Sequence, residues 1–335
     1  MDKKWEVKLE DIVELKDNIY LDWNIVKEII DRKNLDLETL VLKLRDRFQF
    51  YYSDAHLDDR SSRFKTEYIE NIVSDLRVFN SICKGLRICN NGVTQEFMLA
   101  KRNIIEDFYI KLEEKNKTKL PRINMPNLEI DVDLNQIDES HPLYGTPFLE
   151  KIKENGGVWS NKITEKYMEE NKEKFFSGHS EYKIFRNIIS KFENSNYLEN
   201  CPKEDRENLK FFVDSLKVEE EELVDRFIPS LVNFYKVSMK QDYNEYSLDQ
   251  KLIYSYMLLD FFKPFKDKIT KKNTMDNVRR DANHLFWAQK ANYLITKDAK
   301  TAKKMKFIYG VFGIEVQVLN IDGFIEKFND CNFKK

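Results

Sequence analysis

The chain has 335 residues, with 58 acidic against 56 basic side chains, so its formal charge of -2 excludes a protein coated in basic residues; any polyanion-binding surface must be local. With 34% charged residues, nine glycines and seven prolines, the composition favours long helices with charged outer faces over a turn-rich sandwich or barrel. No apolar run approaches a membrane span, Met1 to Glu10 lacks a signal-peptide core, and the four cysteines (Cys83, Cys89, Cys201, Cys331) show no CxxC spacing, so we expect a reduced cytoplasmic protein with no membrane partner and no zinc.

Taken in chain order, Asn18-Ile19-Tyr20-Leu21 predicts a short strand that ends at Asp22. Ile25 to Ile30 and Leu37 to Arg47 predict helices, and Phe48 to Tyr52 a second strand running into Ser53-Asp54. Strand, helix and strand at this spacing imply a parallel pair. Helical spacing then dominates: Tyr68, Ile69, Ile72, Leu76 and Phe79; Phe97, Leu99, Ile104, Ile105, Phe108 and Leu112; and later Tyr182 to Phe192, Leu209 to Leu216, Phe227 to Tyr235 and Leu248 to Phe262. Lys115 to Phe148 holds Pro121, Pro126, Pro142 and Pro147 and reads as an extended connection, with a short strand at Leu128 to Leu134. The last part returns to alternating elements: a helix over Val278 to Ala291, a strand at Tyr293 to Ile295, a helix over Thr301 to Phe312, a strand at Glu315 to Leu319 and a final helix at Phe324 to Phe328. The resulting expectation is an α/β core of a parallel sheet, assembled from residues 1–62 and 266–335. Residues 63–265 form a mainly α-helical insertion.

The acids in both ends fall where strands finish, which is where ligands bind in open parallel sheets. Asp22 follows the first strand; Asp54, Asp58 and Asp59 follow the second; Asp281 begins the helix leading into the strand that ends at Thr296-Lys297-Asp298. Carboxylates gathered at one edge repel each other unless a cation lies among them, and hard divalent ions prefer oxygen ligands. Capping of helix ends is the bland alternative for Asp22, Asn24 and Asp281.

Asp22-Trp23-Asn24, then Asp281 and, seventeen residues on, Asp298 in Thr296-Lys297-Asp298, resemble the acidic pattern of PIN-like nucleases. The resemblance covers only the two ends of the chain. Where those nucleases usually carry a glutamate on a helix, this chain offers Asp54, Asp58 or Asp59, of which Asp59 is favoured. The resemblance implies a Mg²⁺- or Mn²⁺-dependent hydrolysis of phosphodiesters, in RNA more than DNA. Asp22, Asp54, Asp59, Asp281 and Asp298 are then the candidate ligands, Asn24 and Thr296 orient ligands or water, and a toxin or defence role would suit.

His56 and His284 lie inside these motifs, as proton donors, phosphate contacts or buried hydrogen-bonded neighbours; His141 and His179 carry no such expectation. From Lys263 to Lys306 there are thirteen lysines and arginines against four acids. That excess makes Arg279, Arg280 and Lys297 candidate nucleic-acid contacts, the alternative being a solvated helix face. Glu219 to Glu222 read as an acidic helix start. The 24 Phe and 16 Tyr mostly follow helical spacing and read as core. No phosphate-binding glycine loop, Gly-x-Ser-x-Gly or His-Glu-x-x-His is present, which disfavours P-loop enzymes, α/β-hydrolases and zincins. The expected function is therefore a metal-dependent nuclease whose insertion selects substrate or holds a protein partner or inhibitor. Its rivals are a non-catalytic module binding RNA or protein, a phosphatase using Asp22 as nucleophile, and a helical scaffold.

Overall fold

The structure, a computed structural model, describes residues 11–62, 64–90, 96–117, 129–139, 144–160, 163, 166–167, 170, 203–239, 242–266 and 274–329. The expected helix at Tyr182 to Phe192, His141, His179 and Lys268 to Lys272 lie outside them. The chain divides into two compact units, Met1–Thr118 with Asn283–Lys335, and Lys119–Ala282.

The first unit is built on a parallel sheet of β2 (Asn18–Leu21), β3 (Gln49–Phe50), β8 (Tyr293–Ile295) and β9 (Gln317–Leu319). Their spatial order is β3-β2-β8-β9. All four residues of β2 are buried, as a central strand covered on both faces requires. β2 pairs with β8 through Ile19–Tyr293, Tyr20–Leu294 and Leu21–Ile295, so the two chain ends meet in the middle of the sheet. From β2 the chain runs outward to β3 through α1 (Trp23–Ile30) and α2 (Leu35–Leu44). From β8 it runs outward on the other side to β9 through α11 (Ala299–Val311), and α12 (Ile321–Asn329) follows. The strand order therefore reverses between β2 and β8, and the crevice at such a reversal is where open α/β sheets bind ligands. Asp22 N–H donates to Ile295 O at 2.9 Å and Thr296 N–H to Leu319 O at 3.0 Å, so the ladder continues to the last residue before the crevice.

The helices follow their apolar periodicity. α1 buries Trp23, Ile25, Val26 and Ile29, and α2 starts where the Asn34 side chain accepts the Leu37 N–H at 2.9 Å. α3 (Asp54–Ser61) begins after Ser53, whose N–H donates to His56 Nδ1 at 3.1 Å, so a histidine fills the reciprocal place of a capping box.

Two sequence expectations change here. The sequence pattern starts the insertion at residue 63, but residues up to 117 belong with the chain ends. Ile72, Leu76, Phe79 and Ile82 of α4 (Ile69–Cys83) and Ile104 and Phe108 of α5 (Ile104–Lys117) share one buried core with Ile19, Val26, Val41 and Phe50. The division at the other end likewise falls after Ala282 and not at 266. Second, Phe97 to Leu112 is not one helix. Phe97–Lys101 is strand β5, antiparallel to β4 (Leu86–Asn90) and β1 (Ile12–Val13). Only then does Asn103 accept the Ile105 N–H through its side chain and start α5. Gly85 (φ +72°) makes the turn before β4, where an added Cβ would stand 2.9 Å from Arg102 O.

In the second unit, β6 (Glu129–Asp131) pairs antiparallel with β7 (Val158–Ser160) beside α6 (Pro147–Glu154). Its longer described helices include α7 (Lys203–Ser215), α8 (Glu220–Phe234) and α9 (Leu248–Leu259), with Phe212, Phe227 and Phe262 in ring contact. α10 spans Met275–Ala288 and enters the first unit at Asn283. Among the described residues no helix is long and apolar enough to cross a membrane.

Candidate metal centre

Asp22 leaves β2 at the reversal point and stands at the N-cap of α1, yet its side chain makes no capping bond. It turns instead toward the neighbouring strand end, where the buried Thr296 hydroxyl donates to its Oδ2 at 2.8 Å; Asn24 Nδ2 approaches the same oxygen at 3.5 Å. Asp59 arrives from α3. Asp54 and Asp58, four apart, share another face of that helix. Arg87 holds Asp54 at 2.9 Å and Lys111 holds Asp58 at 3.2 Å, while Asp59 faces the centre. His284 arrives from α10, with Nε2 2.8 Å from Asp59 Oδ2 and 3.9 Å from Asp22 Oδ1. One ligand-capable atom from each of Asp22, Asp59 and His284 lies within 4.8 Å of the others.

Burial dominates the electrostatics. Asp22 is 5% exposed, and desolvation, with Asp59 beside it, raises its pKa above the ordinary carboxylate value despite His284, Thr296 and Asn24. Such a group favours a proton or a cation as partner. The separations from His284 to the two carboxylates suit one ion. Two donors each roughly 2.1 Å from a shared ion stand at most about 4.2 Å apart, and near ~3 Å when at right angles. Asp22 to His284 at 3.9 Å and Asp59 to His284 at 2.8 Å match those limits.

Behind His284 lies a buried chain of polar groups. Tyr20 Oη is 2.7 Å from His284 Nδ1 and 2.8 Å from Ser53 Oγ, and Ser53 Oγ is 3.0 Å from His56 Nδ1. His56 Nε2 donates to Leu21 O at 2.7 Å, and its Nδ1 accepts the Ser53 N–H. A nitrogen that accepts an N–H carries no proton, so this imidazole is neutral. Burial, then the neighbouring His284, accordingly lowers the His56 pKa to about 3. His56 is thus fully buried with both nitrogens engaged, which fits the buried hydrogen-bonded neighbour among its expected roles.

Other expected site residues fall outside the three-residue group. Asp298 is exposed and caps α11, accepting the Lys300 and Thr301 N–H groups at 2.8 and 3.1 Å, which explains its place at a strand end without a metal. Asp281 is half-buried on α10; His284, one turn further along, stands in the group in its stead. The basic candidates pair with nearby acids: Lys297 with Glu28 at 2.8 Å, Arg279 with Asp276 at 2.9 Å, and Arg280 with Asp276 at 3.7 Å. Sequence reasoning missed Tyr20 and Ser53. The available signal was a tyrosine inside a strand buried on both faces, whose hydroxyl must find a partner, and Ser53-x-x-His56 at a helix start.

No protein-family model, curated protein or solved structure matches this chain.

Proposed function

We propose that the protein is a PIN-like, metal-dependent nuclease that hydrolyses phosphodiesters, RNA before DNA, with Asp22, Asp59 and His284 holding Mn²⁺ or Mg²⁺. The observation that carries this reading is the meeting of those three side chains at the strand-order reversal. A bound divalent ion supplies Lewis acidity there, neutralising phosphate charge and making water more acidic. Thr296 fixes the Asp22 carboxylate by donating to one oxygen, leaving the other toward His284. Asn24 is exposed in the first turn of α1 and offers an amide to substrate or water. Lys297 would attract the backbone of a nucleic acid in competition with Glu28. The helical second unit is the candidate for substrate selection or for a protein partner.

Cleavage of labelled RNA and single-stranded DNA with Mn²⁺, Mg²⁺ or EDTA tests the reading, alongside Asp22→Asn and Asp59→Asn. Activity that persists in EDTA, or in both variants, sinks it. Burial favours a second reading: the side chains of Asp22, Asp59 and His284 are 7%, 17% and 2% exposed, which suits an ion held for structure in a non-catalytic binding module. Saturable metal binding without cleavage of any nucleic acid would select that alternative.

A further inference from the structure

We propose that His284 is itself a metal ligand through Nε2, that the centre consequently takes a first-row transition ion in preference to Mg²⁺, and that Tyr20 positions His284 for this by a reversible hydrogen-bond relay. The inference rests on the metal-centre reading above and names the class of ion and a positioning residue for it.

Three observations carry it. First, Nε2 points at both carboxylates, 2.8 Å from Asp59 Oδ2 and 3.9 Å from Asp22 Oδ1, so an ion shared by the two acids meets this nitrogen. Imidazole suits Fe²⁺, Ni²⁺ or Zn²⁺ best and is accepted by Mn²⁺ beside carboxylates, whereas Mg²⁺ favours oxygen donors and retains its waters. Second, the other ring nitrogen is held: Tyr20 Oη lies 2.7 Å from Nδ1, in the place where a histidine ligand ordinarily finds the partner that sets its tautomer. Third, the hydrogen bonds from His284 back to His56 can run in either direction.

Without an ion, and with His284 in the tautomer that donates from Nε2 to Asp59, Nδ1 accepts from Tyr20 and Tyr20 accepts from Ser53. With an ion on Nε2, the ring proton resides on Nδ1 and donates to Tyr20, Tyr20 donates to Ser53 Oγ, and Ser53 donates to His56 Nδ1. His56 keeps its own proton on Nε2 in both states, because that nitrogen faces the Leu21 carbonyl, which can only accept. Between these two tautomers the ring proton changes nitrogen and two hydroxyl hydrogens rotate, with no proton gained or lost by the network. Each polar side-chain atom of this relay therefore keeps a partner in both states, whereas Tyr20→Phe would leave the Nδ1 proton of the loaded state unpaired.

Pulsed electron paramagnetic resonance of the full chain with Mn²⁺ alone tests this without reference to activity. The expected spectrum shows coupling to a directly bound nitrogen. That coupling disappears in His284→Gln while weaker Mn²⁺ binding persists, and Mg²⁺ at roughly hundredfold excess fails to displace the ion. Tyr20→Phe should keep the nitrogen coupling, which certifies an intact site, yet weaken Mn²⁺ binding by about 10–100-fold. Should that variant not fold, Ser53→Ala, which breaks the relay one step further back, should weaken binding in the same sense. Bound Mn²⁺ with oxygen coordination only, or ready displacement by Mg²⁺, overturns the inference and leaves the metal reading standing. Unchanged Mn²⁺ affinity in both relay variants overturns the role of Tyr20. Absence of any Mn²⁺ binding overturns the metal reading together with the inference.

Discussion

Replacing Asp22 by asparagine should stabilise the metal-free protein while removing its response to metal. The Asp22 and Asp59 ligand atoms lie within 4.8 Å of one another, and two charges at that separation repel by about 3.5 kcal/mol at an effective dielectric constant near ~20. The amide of Asp22→Asn would keep an acceptor for the Thr296 hydroxyl but lose the attraction between the carboxylate and the Nε2–H of His284, so a net gain of about 1–2 kcal/mol is expected. For a unit of this size that is about 2–8 °C in Tm. The pH dependence has a definite sign. Burial raises the folded-state pKa of Asp22, so the folded chain holds this proton to higher pH than the unfolded chain. Stability of the metal-free wild type therefore falls as pH rises from the ordinary carboxylate value through the raised one. The advantage of Asp22→Asn is absent below that window and complete above it. Mn²⁺ at about a hundred times its Kd should add about 2.7 kcal/mol to the wild type and nothing to the variant. Thermal melts of both proteins from about pH 4 to pH 8, with and without Mn²⁺, measure all of this. A metal-free variant less stable than wild type at the upper end of that range, or one that still gains from Mn²⁺, refutes the reasoning.

Further outcomes follow from neighbouring contacts. Thr296→Val removes the 2.8 Å hydrogen bond that orients Asp22, and Mn²⁺ affinity measured by calorimetry should fall by about tenfold, the value of one hydrogen bond to a charged group. Asp298→Ala should cost about 1 kcal/mol in urea unfolding through loss of the α11 cap, with the Mn²⁺ response retained; loss of that response would restore Asp298 to the ligand set. Arg87→Met should cost about 3–5 kcal/mol, because it strips the buried Asp107 carboxylate (1% exposed) of a guanidinium at 2.8 Å; a loss under about 1 kcal/mol in urea melts would show that Tyr52 and Arg102 suffice.

The centre of the sheet was legible because its two middle strands are short, apolar and followed at once by an acid or a threonine: Asn18–Leu21 and Tyr293–Ile295 match the expected strands residue for residue. The next strand out is shorter than its aromatic run suggests. Only Gln49–Phe50 pair with β2, while Tyr52 bridges to Arg87 on a segment for which sequence periodicity offered no strand signal. Phe97 to Leu112 misleads for a related reason. Phe97 and Leu99 fit the spacing of the helix that follows, and the break lies in one asparagine, Asn103, whose capping bond is visible only once the chain is folded. The limit of the insertion is hidden because amphipathic helices that cover a sheet and helices of a separate unit carry the same pattern; what assigns α4 and α5 to the first unit is the shared core.

At the site, the sequence placed acids at strand ends, and physical accounting then separates them. Asp298 has its negative charge answered by two N–H groups of the helix it begins, and Asp54 by Arg87, so neither calls for a metal ion. Asp22 makes no side-chain capping hydrogen bond within the usual geometry at the N-cap of α1, and it turns, buried, toward Asp59 and His284. Thr296 and His284 offset only part of that desolvation, and a cation that Asp59 and His284 also face would offset more of it. That contrast between two acids that follow neighbouring strands, one capping and one not, is what favours Asp22 over Asp298 as the candidate ligand. Charge pattern alone could not make the distinction, because both occur in the same kind of motif, Leu21-Asp22 and Thr296-Lys297-Asp298.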